Sequence, residues 1–199
     1  MSDAQLALAL ALTIRHDGHG GIADGLADPE GLTRWVREQS AALTAAGVPA
    51  AGFTADAAAL TAVRELRQAV RALFARAVRP QEPSPADARR LLPLPEALAR
   101  LDAAAARVPV TPRFTWPADG DPVVRHTAAA PAPPADLLVS ALARAAMAFL
   151  ASPGRAKLRA CHAPRCVLYF LKEHPRQEWC KPSCGNRARV ARHHERHRS

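Results

Sequence analysis

The sequence is poor in aromatic residues, which make up 5% of its 199 residues, whereas alanine is abundant. Strands favour aromatic and β-branched side chains, while alanine and leucine favour helices, so a strand-rich fold is disfavoured. Apolar residues make up 49% of the chain and charged residues 23%. This balance excludes wholesale disorder and is sufficient for a packed core. A chain of this length holds one substantial domain and a small one.

The sequence also lacks an apolar run that approaches the roughly 18–20 residues of a membrane span. Segment 6–12 is rich in leucine and alanine, but it follows Asp3 and no lysine or arginine, so the basic start of a signal peptide is missing. We therefore expect a cytoplasmic protein that does not enter a membrane. In that reducing compartment, clustered cysteines are metal ligands more often than disulfides.

The first 154 residues have no net charge, because their fifteen basic residues are balanced by fifteen acidic ones. Residues 155–199 contain twelve lysines and arginines and three acidic residues, so they account for the whole net charge of +9. Arginine supplies most of the basic residues, and its planar guanidinium suits phosphate and guanine edges. This concentrated charge predicts a polyanionic partner.

Cysteine is absent from the first 160 residues, and all four cysteines lie in the tail. Four residues separate Cys161 from Cys166, three separate Cys180 from Cys184, and thirteen lie between the two pairs. Four thiolates complete a tetrahedral zinc site, which stabilises a segment too small to form a sufficient core of its own. We predict one structural zinc ion per chain. Disulfides, unligated thiols and an iron–sulfur cluster are the alternatives.

Aromatic and histidine residues surround these cysteines. Tyr169, Phe170 and Trp179 are expected to form a small core over the metal, with nucleic-acid stacking as the alternative. His162 and His174 are close enough in sequence to replace a cysteine ligand, but surface positions are the simpler interpretation. After Cys184, the chain predicts a terminal helix that is rich in arginine and histidine and extends to about Arg196.

Two strong helix signals stand in the first half of the chain. Asp28 followed by Pro29 is typical of a capped helix start, and this helix is expected to end near Gly47. The longest helix is predicted to begin at Asp56 and to end near Val78. Its apolar residues recur every three or four positions, while its arginines, Arg67 included, are assigned to the solvated faces.

Weaker signals predict the remaining elements. A short buried helix is expected over 5–14, followed by a glycine-rich loop. Further helices are predicted over 84–92, where Ser84 begins the capping motif, over 96–106, and from Asp136 to near Ser152. Residues 110–116 and 123–125 are expected to pair as a hairpin on the helices or to form an extended surface loop.

At residues 179–189 the tail reads WCKPSCGNRAR, which resembles the CGNR zinc-finger family. In that family a Trp-Cys step precedes Cys-Gly-Asn-Arg, and a basic residue follows two positions later. The finger lies behind a mostly helical domain of the ABATE type, in proteins regarded as stress-induced transcription regulators. The front of the chain is similar too, with Asp24, Pro29 and Trp35 in the family's pattern. The family usually has two arginines where this chain has Gln177 and Glu178.

The expected fold is mainly α, with a helical domain over 1–153 in which a small β-hairpin is an open alternative. A four-cysteine zinc finger follows over 154–199 and ends in a basic helix. The resemblance implies a zinc-binding, DNA-binding transcriptional regulator of the stress response. A homodimer or an effector site would belong to the helical domain. The alternative is a protein- or RNA-interaction module with a purely structural zinc site.

The expected DNA contacts surround the end of the finger, at Lys181, Asn186, Arg187, Arg189, Arg192 and Arg196. Asn186 and Arg187 have a second interpretation, in which they brace the finger through hydrogen bonds to its backbone, since they adjoin Cys184. A catalytic cluster of His16, Asp17 and His19 is the third hypothesis, and a solvated glycine-rich loop is the simpler interpretation of it. We therefore expect no enzymatic activity.

Overall fold

The structure, a computed structural model, describes residues 3–17, 21–87 and 91–197. In these ranges it contains seven α-helices, which are α1 (Asp3–Ala11), α2 (Pro29–Glu38), α3 (Ser40–Ala45), α4 (Ala57–Ala77), α5 (Leu94–Ala106), α6 (Pro134–Ala151) and α7 (Pro182–Arg196). Three antiparallel hairpins accompany them, β1 (Ile14–His16) with β2 (Ile22–Asp24), β3 (Val110–Thr115) with β4 (Val123–Ala128), and β5 (Leu158–Ala160) with β6 (Tyr169–Leu171). The prediction of a mainly α fold is confirmed.

Helix α4 lies at the centre of the helical layer and contacts α1, α2, α5 and α6. It begins as predicted, because the Asp56 carboxylate accepts a hydrogen bond of 2.7 Å from the Ala59 amide. Its apolar stripe is buried, and Val63, Val70 and Phe74 are fully inaccessible. The three- and four-residue spacing therefore identified the core face of this helix correctly.

Helix α2 also begins where the sequence predicts. The Asp28 carboxylate accepts a hydrogen bond of 2.7 Å from the Gly31 amide, and Pro29 occupies the first turn. The chain then bends at Gln39 into α3, and it ends before Gly47, whose φ of +84° is a conformation that glycine adopts without strain.

The predicted helix over 84–92 is not present in the described part of that segment. Residues 85–87 form a turn, Leu91 and Leu92 are not helical, and 88–90 lie outside the described residues. The Ser84 hydroxyl accepts a hydrogen bond of 3.4 Å from the Ala86 amide, but no helix follows it. The same hydroxyl donates a hydrogen bond of 2.8 Å to the Val167 carbonyl, a long-range contact that the sequence motif does not predict.

Helix α6 begins two residues before the predicted cap. Pro134 starts the first turn, and Asp136 lies inside that turn, where its carboxylate accepts a hydrogen bond of 3.1 Å from Arg107. The helix ends at Ala151, as the following Ser-Pro-Gly sequence predicts.

Contrary to the expectation from the sequence, α6 is by length and composition alone able to cross a membrane. Core helices of globular proteins meet the same criterion, and half of the residues of α6 are buried inside the fold. Phe149 packs edge-on against Phe74 of α4, with 5.7 Å between the ring centroids. In this structure α6 is a core helix.

The glycine-rich loop expected after α1 falls between two paired strands, since Ile14–His16 pairs with Ile22–Asp24, and its residues 18–20 lie outside the described residues. The Asp17 carboxylate accepts a hydrogen bond of 2.9 Å from the Gly21 amide. His16 belongs to the strand and His19 lies outside the described residues, so the proposed cluster of three side chains stays a prediction.

The hairpin of the tail packs against the core of the helices. Leu158, Ala160 and Tyr169 belong to the same buried cluster as the apolar residues of α1, α4 and α6. The ring of Tyr169 packs edge-on against Phe74, with 5.5 Å between the centroids. The boundary predicted at 153/154 falls at a short 3-10 turn, Pro153–Lys157, and the division into two domains stays a prediction.

Candidate metal centre

All four cysteines converge, although they come from two separate segments, the turn between β5 and β6 and the start of α7. Their Sγ atoms lie within 4.8 Å of one another. Among the residues that the structure describes, this is the one group of three or more cysteine, histidine or acidic side chains placed to hold a metal ion. Cys161, Cys166 and Cys184 are buried, and Cys180 is partly buried.

The first pair is positioned by the turn between β5 and β6. The Cys161 amide donates to the Leu168 carbonyl at 2.9 Å, and the Cys166 amide donates to the Ala163 carbonyl at 2.9 Å. Arg165, immediately before Cys166, has a φ of +64°, a left-handed conformation that costs a non-glycine residue free energy. This turn directs both thiols to the same side of the hairpin.

The second pair brackets the start of α7. Cys180 precedes the helix, and Cys184 lies in its first turn, where its amide donates to the Lys181 carbonyl at 3.0 Å. The ring of Trp179 lies against this turn, because a Cβ atom added at Gly185 would come within 3.1 Å of the Trp179 ring. Glycine therefore provides the space that the indole occupies, which explains a glycine inside the first turns of a helix.

The sulfur–sulfur distances fit a four-coordinate metal and not a disulfide. Cys180 Sγ lies 3.6 Å from Cys166 Sγ and 3.5 Å from Cys184 Sγ. A disulfide requires about 2.05 Å. Zinc–sulfur bonds of about 2.3 Å in a tetrahedron place the sulfur atoms about 3.8 Å apart. The donor set therefore fits a closed four-thiolate ion site.

The thiols of the cluster also interact with one another electrostatically. The pKa of Cys161 is lowered, because the thiols of Cys166 and Cys180 donate hydrogen bonds to its sulfur. The pKa of Cys166 and that of Cys180 are raised by the same contacts with Cys161, and burial raises them further. A protonated thiol therefore stabilises a thiolate on the neighbouring sulfur. A divalent cation replaces the protons of the cluster and allows all the thiolates to form.

Arg187 is exposed, and its guanidinium also contacts the cysteine cluster. Its Nη2 donates a hydrogen bond of 3.1 Å to Cys184 Sγ. Four thiolates with one dication carry excess negative charge, and a guanidinium beside them offsets part of it. The bracing that we considered for Arg187 is therefore present, but it is made to a cysteine sulfur instead of the backbone.

Gln177 stabilises the loop before the second pair. Its side-chain oxygen accepts a hydrogen bond of 2.8 Å from the Glu173 amide, and its side-chain nitrogen donates one of 3.2 Å to the Trp179 carbonyl. This residue stands where the related family usually has an arginine. Here the side chain has a structural role that does not depend on positive charge.

The small core over the cysteines differs from the predicted one. Phe170 and Trp179 do pack with the cysteines, together with Leu168. Tyr169 does not, because neighbouring residues of a strand point to opposite faces and Tyr169 faces the helices. His162 and His174 are exposed and do not belong to the cysteine group.

Helix α7 projects from the centre. Cys184 and Ala188 are its buried residues, and they lie four positions apart on the side that faces the finger. The residues predicted to contact DNA are exposed, namely Lys181, Asn186, Arg187, Arg189, Arg192 and Arg196. Arg189, Arg192 and Arg196 lie three or four positions apart, so they share one side of the helix. The Arg189 guanidinium donates a hydrogen bond of 3.3 Å to the Asn186 side-chain oxygen.

A buried arginine of α4, which sequence reasoning assigned to a solvated face, lies next to the centre. Arg71 is 5% exposed. Its Nε and Nη2 donate to the two carboxylate oxygens of Asp87 at 2.7 and 3.1 Å. Its Nη1 donates to the Ala11 carbonyl at the end of α1 at 2.6 Å. This bidentate pair fixes the segment after α4 against the helical core.

The same pair holds the finger. The Tyr169 hydroxyl donates a hydrogen bond of 2.7 Å to Asp87 Oδ2, and the guanidinium carbon of Arg71 lies 5.2 Å from the centre of the Tyr169 ring. Burial, together with the negative charge of Asp87, raises the pKa of Tyr169, so this phenol remains a donor. We call Arg71, Ser84, Asp87 and Tyr169 the buried polar network.

A second buried arginine, Arg67, was also assigned to the solvent. It is 6% exposed, and its guanidinium donates to both carboxylate oxygens of Asp24, at 2.5 and 2.7 Å. Burial raises the pKa of Asp24, but hydrogen bonds from Arg67 and the Leu26 amide outweigh it, aided by the charges of Arg67 and Arg64. The pKa of Asp24 therefore lies below its ordinary value.

The sequence did contain a signal that Arg67 is buried. Arg67 lies four residues after Val63 and three before Val70, which places it within the apolar stripe of α4 rather than beside it. Acidic partners distant in sequence, Asp24 and Asp87, were not indicated by any local spacing.

Comparison with known families agrees with this geometry. A family model named ABATE, described as "putative stress-induced transcription regulator", matches residues 4–153. A second model, the CGNR zinc finger, matches residues 157–197. No curated protein matches the chain. Because the first match covers most of the sequence and the second covers the four cysteines, the chain belongs to the ABATE family and has a C-terminal CGNR zinc finger.

Proposed function

We propose that this chain is a zinc-binding, DNA-binding transcriptional regulator, in which the finger positions α7 on DNA. One observation carries the proposal. Cys184, in the first turn of α7, is one of the four clustered cysteines, and the rest of the helix extends outward from the cluster. Cys161, Cys166, Cys180 and Cys184 would hold one zinc ion, which supplies structural cross-linking and no catalysis. A closed four-thiolate site has no open position for a substrate water, so the centre is not that of an enzyme.

The charge of α7 supports a polyanionic partner. Between Pro182 and Arg196 the helix contains four arginines and one glutamate. Arg189 and Arg192 are exposed on one side of the helix, where they can reach successive phosphates. Asn186, next to Arg189, is the side chain best suited to contact an adenine edge. Arg187 is assigned to the metal centre, because its guanidinium contacts Cys184.

The buried polar network supports the regulatory half of the proposal. It connects Arg71 and Asp87 of the ABATE segment with Tyr169 of the finger. A change in the helical segment would therefore alter the orientation of the finger, and with it the direction in which α7 points. The family description names a stress-induced transcription regulator, and such a regulator would use this connection. We place it in the cytoplasm as part of the same proposal.

A random-sequence selection with the full-length, zinc-loaded chain tests the function. We expect enrichment of duplex DNA, and binding that weakens steeply with salt. Arg189→Ala and Arg192→Ala should each lower the salt slope by about one, the value for a lost phosphate contact. Arg37→Ala, an exposed arginine on α2, is the matched control and should leave the slope unchanged.

The alternative function predicts a different outcome. If duplex DNA is not enriched while structured RNA or a protein partner binds tightly, the chain is an interaction module with a structural zinc site. Equal salt slopes for Arg189→Ala, Arg192→Ala and Arg37→Ala would remove α7 from the proposed interface.

A further inference from the structure

The hairpin of β3 and β4 presents an unusual surface. Every residue from 111 to 127 is exposed, so neither face of the hairpin is covered by the helices. Phe114 is 65% exposed and Trp116 is 70% exposed, and their rings pack edge-on with 6.3 Å between the centroids. A two-stranded hairpin alone is marginally stable in water. We call residues 110–128 the arm.

The arm is two-sided. Phe114 lies directly opposite Val124, which is 58% exposed, and Trp116 is on the same face two residues further on. The opposite face pairs Arg113 with Arg125. The arm has two arginines and two aspartates, and hence no net charge. A neutral arm with an aromatic face suits a protein surface better than a polyanion.

The helical segment has an apolar groove that could receive an apolar face such as that of the arm. The groove lies at the start of α5 and the end of α6, away from the ends that join the arm. The groove has a volume of about 640 Å³. Its apolar walls come from three helices and are formed by Leu73, Leu94, Leu98, Leu101, Met147 and Leu150. Leu98 is 44% exposed there, so the floor of the groove faces solvent.

Charges at the two surfaces are complementary. The turn at the tip of the arm contains Asp119 and Asp121, both exposed. The rim of the groove contains Arg76 and Arg155, both exposed, with one acidic residue, Asp102. An acidic tip and a basic rim favour one orientation of the arm in the groove.

An arm cannot fill the groove of its own chain, because its residues are exposed and it leaves the helices at the opposite end. It follows Ala106 of α5 and precedes Pro134 of α6, whereas the groove lies beside Leu94 and Leu150. Each strand of six residues and α5 of thirteen are all about 20 Å long. An arm of this length is therefore long enough to span α5 of a second copy related by a two-fold axis.

The area of the aromatic face favours a two-fold dimer in which each arm contacts the other copy. A fully covered aromatic side chain buries about 150–250 Å², so Phe114 and Trp116 together expose roughly 270 Å² at the fractions given above. One arm against an equal partner surface would bury roughly 550 Å², which is too little for a stable complex. A two-fold dimer uses the contact twice and reaches roughly 1,100 Å² before Val124 is counted, close to the lower limit of specific interfaces.

We propose that the chain forms a two-fold homodimer by arm exchange, in which the aromatic face of each arm occupies the apolar groove of the other copy. The assembly is independent of DNA binding, since neither surface includes α7. It gives a regulator of this kind two copies of α7, and so two half-sites.

Sedimentation velocity on the full-length, zinc-loaded chain over a wide concentration range tests the proposal. The parent chain should be a dimer. Combined Phe114→Ser and Trp116→Ser, and separately Leu98→Asp, should each raise the dimer dissociation constant by at least about 30-fold, the effect of losing a hot-spot residue. Val123→Ser, on the opposite face of the arm, is the matched control and should leave the constant unchanged. All these side chains are exposed, so the thermal midpoint of each monomer should be preserved.

A photo-crosslinking residue at position 116 gives an independent readout, since it should join two copies and map to α5 or α6 of the second one. A parent chain that stays monomeric overturns the proposal. So does a dimer that survives the arm variants, or one that survives Leu98→Asp. If the chain is monomeric and adding duplex DNA protects Trp116 from quenching, the aromatic face belongs to a nucleic-acid complex and arm exchange is wrong.

Discussion

Asp87→Ala is expected to destabilise the protein more than any surface substitution, because it leaves a buried guanidinium without its carboxylate. Arg71 and Asp87 are both about nine-tenths buried or more, and they are joined by two hydrogen bonds of 2.7 and 3.1 Å. Removing one partner of such a pair costs about 3–5 kcal/mol of the free energy of unfolding. That is a large part of the roughly 5–15 kcal/mol available to a typical domain.

A matched control exists in the same molecule. Asp136 accepts a hydrogen bond of 3.1 Å from Arg107, but both side chains are more than a third exposed. Solvent screens that pair, so Asp136→Ala should cost no more than about 1 kcal/mol. Urea unfolding of the zinc-loaded protein, followed by far-ultraviolet circular dichroism, measures both variants on one scale.

Tyr169→Phe separates the role of the finger from that of the ion pair. The substitution keeps the ring against Phe74 and removes the hydroxyl that donates to Asp87. A hydrogen bond to a charged group contributes about 1.5–3 kcal/mol, and this is the expected loss. The same urea unfolding experiments test the network as a whole. If Asp87→Ala lowers the free energy of unfolding no more than Asp136→Ala does, the buried polar network does not hold the finger to the helices.

Two further predictions concern local interactions. Asp24→Asn should lower the free energy of unfolding at neutral pH. The difference in free energy from the parent chain should close as the pH falls through the lowered pKa of Asp24, because a carboxylate with a depressed pKa stabilises the fold only while it is ionised. A difference that stays constant down to acid pH in urea unfolding would contradict this. Asp28→Ala and Asp56→Ala should each cost about 1 kcal/mol, since each removes a hydrogen bond of 2.7 Å to a helix N-terminus, and no change in the urea midpoint would show that these caps are not needed.

Local patterns predicted the local features of this chain. The cap at Asp28, the apolar stripe of α4 and the terminal helix each depend on residues within a few positions of one another. The hairpin of β3 and β4 was one of two open alternatives, and it is exposed rather than packed on the helices. The convergence of the four cysteines was also expected, since a closed metal site requires it. In these cases the physical cause lies inside the segment itself.

Features that depend on distant residues were not predicted. Arg71 meets Asp87 sixteen residues later, and Ser84 meets Val167 eighty-three residues later. Tyr169 was assigned to the finger because it lies between the two cysteine pairs in sequence, whereas strand alternation turns it toward Phe74. A tertiary partner replaced a local one in each case, and a single sequence does not reveal such a partner.

The central claim is that Cys161, Cys166, Cys180 and Cys184 hold one structural zinc ion, and elemental analysis of the purified full-length chain tests it most directly. We expect one zinc ion per chain when no metal is added during purification. Cys184→Ser should lose that zinc together with the amide protection of residues 158–190, whereas Ser183→Ala beside it should retain both. Protein that is purified without zinc, and whose finger is as protected as that of the zinc-loaded form, would contradict the claim.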